Sequence, residues 1–89
     1  MYCTKIKSGR IIRLLHKNIK TDIVIIDINR QEKNVKLRIN DNDYLLCKND
    51  RLSKKAFTIV LMDVVNGYVN NPVADIGISA DRSVKISKH

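Results

Sequence analysis

The sequence has no Trp, one Pro, three Gly and only 4% aromatic residues. Tyr2, Tyr44, Tyr68 and Phe57 are the only aromatics, too few for the platforms on which RNA-recognition motifs and OB folds stack successive bases. Cysteine is scarce as well. Cys3 and Cys47 form no CxxC pair and no cluster with His16 or His89 at zinc-ligand spacing, so neither a metal centre nor a disulfide framework is expected. Long apolar runs are also missing: Ile23 to Ile26 and Ile59 to Met62 are the longest strictly apolar runs. The start, Met1-Tyr2-Cys3-Thr4-Lys5-Ile6-Lys7, lacks the apolar stretch of a signal peptide. These absences predict a cytoplasmic protein with both thiols reduced.

What is present is β-branched apolar sequence and positive charge. With 13 Ile and 8 Val among 89 residues, the composition excludes a disordered tail and favours sheet over helix. A chain this short buries only about 60 to 65% of the surface its unfolded form exposes. Its core is therefore thin, a large enzyme pocket is not expected, and a partner or self-association, such as a homodimer, is. Lys and Arg number 17 against 9 Asp and Glu, for a net charge of +8. Such a field attracts polyanions, and nucleic acid is the first partner to weigh against a merely solubilising charge coat.

Along the chain the pattern reads as strand after strand. Tyr2 to Lys7 suits an edge strand with Cys3, Lys5 and Lys7 on its wet face and Tyr2, Thr4 and Ile6 on the other. Arg10 to Leu15 is followed by a turn at His16-Lys17-Asn18 and a polar break at Lys20-Thr21-Asp22. The first 20 residues carry six Lys and Arg and no acidic residue. Ile23 to Ile28 is nearly continuous apolar sequence, which predicts a central strand buried on both faces or at a subunit contact. Val35 to Ile39 alternates strictly, placing Val35, Leu37 and Ile39 inward and Lys36 and Arg38 outward. Asn40 to Asp43 reads as a turn, lacking the Gly and terminal Glu of a calcium loop. Tyr44 to Lys48 is a short strand, and Asn49 to Lys55 a polar loop whose Arg51, Lys54 and Lys55 join Lys48 in a second basic group. Phe57 to Val65 is the second long apolar strand, and Asn66-Gly67 with Asn70-Asn71-Pro72 predicts a turn. Val73 to Ile78 and Ser83 to Ile86 complete the sheet.

An internal repeat underlies this order. Ile23-Val24-Ile25-Ile26-Asp27-Ile28 corresponds to Ile59-Val60-Leu61-Met62-Asp63-Val64, thirty-six residues later. Leu37-Arg38-Ile39-Asn40 and Leu45-Leu46-Cys47 correspond to Ile76-Gly77-Ile78-Ser79 and Val84-Lys85-Ile86, thirty-nine residues later. The difference is a loop three residues longer around Asn66 to Pro72. One compact unit over 1–89 is expected, built of two fused repeats at about 1–48 and 44–89.

The stretch from Ile76-Gly77-Ile78 through Ser79-Ala80-Asp81-Arg82-Ser83 to Val84-Lys85-Ile86-Ser87-Lys88 resembles the end of the carbon storage regulator family of bacterial translational repressors. That family reads Ile-Gly-Ile, a turn with Ala-Pro, then a last strand of the Val-x-Val-His-Arg type. Phe57-Thr58-Ile59-Val60-Leu61 is similar to its Ile-Thr-Ile-Thr-Val strand. Cys3-Thr4-Lys5 resembles its first-strand Leu-Thr-Arg, with Lys7 nearby and Gly9 close to that motif's glycine. The resemblance covers nearly all of the chain as two divergent units, with Tyr44 to Lys48 ending the first and, through Leu46-Cys47-Lys48, opening the second.

The family is a strand-exchanged antiparallel homodimer, each RNA site made from the first strand of one subunit and the last strand of the other. The resemblance therefore implies an all-β fold without a long helix, sheet- or barrel-like, as an intrachain pseudo-dimer or a dimer of fusions. It implies binding of GGA-containing hairpin loops in messages and repression or tuning of their translation. The candidate RNA-binding residues are Thr4, Lys5 and Lys7 on the first strand, Lys48 on the shared strand, and Lys85 and Lys88 on the last. Three departures stand out. The family's last-strand Arg falls on Asn49 and on Lys88, which keeps the charge but loses the bidentate fork. The Pro of its Ala-Pro turn is Asn42 or Asp81, and its C-terminal helix has no counterpart before His89.

Each of those lysines alone is as well explained as edge-strand protection against aggregation; as a set, with the resemblance, they favour RNA. Catalysis has little to stand on. His16 sits in a basic turn, His89 ends the chain, and Asp27 and Asp63 occupy equivalent points near strand ends, most simply facing solvent or a lysine. With no P-loop, dinucleotide fingerprint or metal motif, no enzyme activity and no cofactor is expected. The alternatives are a degenerate homologue that pairs with or antagonises a regulator and, third, a small basic ribonuclease-type toxin.

Overall fold

The computed structural model describes residues 1–67 and 71–89, and it is all-β, with no helix among the described residues. Nine strands follow in order: β1 (Tyr2–Ile6), β2 (Ile11–His16), β3 (Ile19–Asn29), β4 (Asn34–Ile39), β5 (Asn42–Cys47), β6 (Arg51–Ser53), β7 (Phe57–Asn66), β8 (Pro72–Ala80) and β9 (Lys85–Lys88). Two of the hairpins close with two residues at positive φ: Lys17 (50°) and Asn18 (64°) join β2 to β3, and Asn40 (49°) and Asp41 (68°) join β4 to β5. Turns of this hand match the right-handed twist of the strands they connect. They also correct two expectations. Lys20-Thr21-Asp22 is no break but the start of β3, because the turn is already complete at Asn18; Asn42 and Asp43 likewise belong to β5. The turn expected across Asn66 to Pro72 lies partly outside the described residues; within them, the Gly67 N–H donates to the Asn71 carbonyl at 2.7 Å.

All pairings are antiparallel, in a four-stranded sheet of order β1-β8-β7-β6 and a five-stranded sheet of order β5-β4-β3-β2-β9. The sheets stack face to face and do not close into a barrel. One buried cluster fills the space between them, with Ile12, Ile23, Ile25, Val35 and Leu37 from one sheet and Ile59, Leu61, Ala74, Ile76 and Ile78 from the other. Val35, Leu37 and Ile39 are buried and Lys36 and Arg38 exposed, as their alternation predicts. β3 is central in its sheet but not buried on both faces: Ile23, Ile25 and Ile28 are buried, whereas Val24 and Ile26 on the other side are half-buried.

The repeat is visible in the registers. Ile25 lies opposite Leu37 in one sheet, and Leu61, thirty-six residues on, lies opposite Ile76, thirty-nine residues on. The pairing then slips by one residue at the same point in both, between Ile25 and Asp27 and between Leu61 and Asp63. In each bulge the Asp Oδ1 accepts the next backbone N–H, from Ile28 at 3.0 Å and from Val64 at 2.8 Å. Asp27 and Asp63 thus each satisfy a backbone donor next to the bulge.

The first two strands repeat as well, at an offset of forty. Ile12 lies opposite Ile23 as Leu52 lies opposite Ile59, so the expected loop Asn49 to Lys55 contains β6, the counterpart of β2. β5 is then the counterpart of β1: Leu46 lies opposite Val35 as Ile6 lies opposite Ala74. First strands are exchanged between the halves, β1 pairing with β8 and β5 with β4. The last strand, β9, crosses to β2. β5 therefore takes only the first-strand place, and its alignment with Val84-Lys85-Ile86 does not extend to its pairing.

Candidate nucleic-acid interface

β1 is an edge strand, and alternation turns Cys3 and Lys5 to solvent and Tyr2, Thr4 and Ile6 toward the interior. At the opposite sheet, β9 pairs with β2 so that Ile86 lies opposite the buried Leu14 and Lys88 opposite the buried Ile12. Lys88 thus sits on the inward side of an edge, facing the gap to β1. It crosses that gap: Lys88 Nζ donates to the Lys5 carbonyl at 3.2 Å. A shallow cleft of about 130 Å³ opens there, lined by Lys5, Ile6, Lys7, Arg10 and Lys88.

Four of those five residues are cationic. Among the described residues no Asp or Glu pairs with any of the four. Arg10 is placed by the turn after β1. Its Nε donates to the His89 carbonyl at 2.9 Å, while the backbones of Ile11 and His89 exchange hydrogen bonds at 3.0 and 2.7 Å. Arg10 keeps the N–H groups of its two terminal nitrogens beyond this anchor, and Lys88 keeps two of its three beyond the bond to Lys5.

The expected site residues divide. Lys5, Lys7 and Lys88 come together. Thr4 is half-buried on the interior side, opposite Ile76. Lys85 lies opposite Leu15, which is 40% exposed, and so belongs to the outer face of the five-stranded sheet. Lys48 lies on the far side of the molecule, where Asp63 Oδ1 accepts from Lys33 Nζ at 3.1 Å and stands 3.7 Å from Lys48 Nζ. Asn49 is no counterpart of a last-strand Arg; it is a turn residue at φ 73°, in the place Gly9 holds at 84°. Arg10 was not among the sequence candidates; its signal is the run of six cations without an acid in the first 20 residues.

Elsewhere, Lys33 and Lys48 meet Asp63, and two arginines meet carboxylates of their own. Arg13 Nε meets Asp22 Oδ1 at 2.8 Å and Arg38 Nε meets Asp43 Oδ1 at 2.7 Å, both across hairpins. The hydrogen bond from Arg13 holds the Asp22 carboxyl below the usual carboxylate value, and that from Arg38 does the same for Asp43. Asp63 is lowered by its bond from Lys33 and then by the Val64 N–H.

No group of three or more metal-ligating side chains is found among the described residues, and no helix there is long and apolar enough to cross a membrane. Compared with known protein families, curated proteins and solved structures, the chain matches none.

Proposed function

We propose that this chain is an RNA-binding post-transcriptional regulator that acts in the cytoplasm by occupancy, without catalysis, covering GGA-type hairpin loops in messages and so repressing or tuning their translation. The observation that carries the reading is the junction of first and last strands, where Lys5, Lys7, Arg10 and Lys88 line one cleft with no ion-paired acid. Cations so placed neutralise successive phosphates, and the unpaired outer groups of β1 offer hydrogen bonds to unstacked bases. The motif resemblance to the carbon storage regulator family supports the same reading. So does the exchange of first strands between the halves, which resembles that family's homodimer gathered into one chain.

Only one such junction is complete. The repeat-related place beside β5 holds no last strand among the described residues, and Leu45 and Cys47 stand there where β1 and its turn carry Lys5 and Lys7. The reading is therefore of one RNA site per chain. The test is a fluorescence-anisotropy titration with a GGA-loop hairpin and a same-length hairpin of changed loop, at several salt concentrations and with Lys88→Ala. Preference for the GGA loop, weakening with salt and loss on substitution are expected. Equal binding to both hairpins overturns the regulator in favour of nonspecific polyanion affinity, and no binding to either favours a module that pairs with or antagonises a regulator.

A further inference from the structure

The repeat leaves one strand position empty. Among the described residues β2 has neighbours on both sides, β3 and β9, whereas its counterpart β6 has only β7. No fifth strand can come from the first unit, because β4 runs into β5 through the two residues Asn40 and Asp41. Sheet ends at β1, β5 and β9 are open too, but only at β6 does the other half of the molecule show the equivalent edge covered.

The backbone at this edge is set for a partner. Antiparallel strands point successive N–H and C=O pairs to alternate sides. Asp50 and Lys54 bond toward β7, through Asp50 O from Leu61 N at 3.1 Å and Lys54 N to Phe57 O at 2.7 Å. Arg51 and Ser53 therefore face outward. Their counterparts in β2 are Ile11 and Arg13, and Ile11 exchanges both its hydrogen bonds with His89. The first pair across the new ladder is thus already drawn in the other half.

We propose that the outer edge of β6 is a docking site for an acidic, extended peptide segment of a partner protein, which adds antiparallel as a fifth strand in the place that β9 holds beside β2. Chemistry at the edge selects the occupant. Where Leu14 meets Ile86, the counterpart of Leu14 is Lys54; where Ile11 meets His89, the counterpart is Arg51. Opposite them the incoming strand presents acids, with an apolar residue between, facing Leu52. Lys54, Lys55, Tyr44 and Phe57 line a cleft of about 240 Å³ at the end of β6; Lys54 Nζ donates to the Tyr44 hydroxyl and lies 4.4 Å from the centre of that ring, which leaves two of its N–H groups for an incoming acid. Asp50 does not oppose this, since its Oδ2 is turned back to the Cys47 N–H at 2.9 Å. A second copy is the poorer occupant: it brings a net charge of +8 against +8. The proposal stands on the repeat and is independent of the RNA reading.

The probe is a capped synthetic peptide whose central residues read Glu-Ser-Ile-Glu, compared with one carrying Lys for each Glu, and titrated into the isotopically labelled chain. Hydrogen exchange at the Arg51 and Ser53 amides is expected to be fast in the free chain and slowed by the acidic peptide. The acidic peptide is expected to bind at least ~10-fold more tightly than the lysine version, the scale of losing one charge-assisted hydrogen bond. Ser53→Pro removes an outward donor and no backbone bond to β7, which an edge strand tolerates; Ser53→Ala is its control, since it removes only the hydroxyl contact with Thr58 Oγ1 at 3.2 Å, and the proline variant alone is expected to lose at least ~10-fold in binding. Arg51→Glu, which needs no backbone change, is expected to narrow the preference for the acidic peptide, leaving the part that Lys54 contributes. Exchange at Arg51 and Ser53 that the peptide leaves fast overturns the proposal. So do shifts confined to Lys5, Lys7, Arg10 and Lys88, which would mark anion binding only, and slowed exchange without peptide in a chain that sediments as a dimer, which would make the occupant a second copy.

Discussion

Gly9 and Asn49 occupy one backbone station forty residues apart. Their φ angles are 84° and 73°, and each N–H donates at 2.7 Å to a carbonyl of the long strand, that of Ile25 or that of Leu61. Closely similar geometry from unlike residues means that the turn, not the side chain, is what the repeat keeps. Asn is the usual non-glycine resident of such a conformation because its short amide tolerates it.

Substitution here should reveal a backbone cost with no packing component. A Cβ at Gly9 would have no neighbour within 4 Å, so Gly9→Ala is expected to destabilise by about 1 kcal/mol through left-handed geometry alone. Asn49→Val, β-branched at the same station, should cost about 1 to 3 kcal/mol, while Asn49→Gly should be close to neutral. Urea midpoints at constant slope read all three.

Much of the sheet was legible because its faces differ in polarity. The alternation over Val35 to Ile39 fixed a strand and its orientation, and the match of Ile23–Ile28 to Ile59–Val64 related the two long strands, though not the bulge that each carries. What escaped were segments whose polarity misleads. Lys20 and Asp22 look like a break, yet Asp22 is held across the hairpin by Arg13, a cross-strand pair that period and propensity do not encode. β6 escaped because Arg51-Leu52-Ser53 offers a single apolar residue. At the candidate site, Lys5, Lys7 and Lys88 were named from the motif, but Lys48 and Lys85 were separated from them by topology. One strand faces one sheet's edge at a time, and sequence spacing says nothing about which.

Ile25 and Leu61 are equivalent residues, both fully buried, one in each sheet of a shared core. Ile25→Ala and Leu61→Ala should each cost about 2 to 5 kcal/mol. Because the buried cluster runs through both sheets, either variant should lower one common unfolding transition. Circular dichroism and hydrogen exchange in each half should report the same midpoint; two separate midpoints would sink the shared-core account.

Acid should weaken the fold through its carboxylates. Asp22, Asp43 and Asp63 are lowered in the folded chain by their bonds from Arg13, Arg38 and Lys33, so the stability they contribute is present above the unfolded carboxylate value of about 3.9 and is lost as pH falls through their lower folded values. Urea midpoints should hold from neutral pH to about 4 and fall below it. Asp22→Asn should be less stable than the parent at neutral pH, and the two curves should converge at the acid end. A gap that stays constant with pH would assign Asp22 no linkage.

The RNA reading makes a sharper demand on the lysines than loss of affinity alone, since any cation on a chain of net charge +8 aids binding through the general field. A cation that contacts a phosphate releases a counterion, so its removal lowers the slope of log affinity against log salt by about 0.7 for single-stranded RNA. A distant cation changes affinity a little and the slope hardly at all. Lys5→Ala, Lys7→Ala, Arg10→Ala and Lys88→Ala line the same cleft and should each reduce the slope by that amount. Lys85→Ala, on the outer face, and Lys48→Ala, at Asp63, should leave it unchanged. Arg10→Lys separates charge from geometry: it should restore the slope yet not the full affinity, because an ammonium does not reproduce the guanidinium fork braced against His89. Equal slope changes for all six alanine variants would mean that RNA is held by the overall field and not by the junction of β1 and β9.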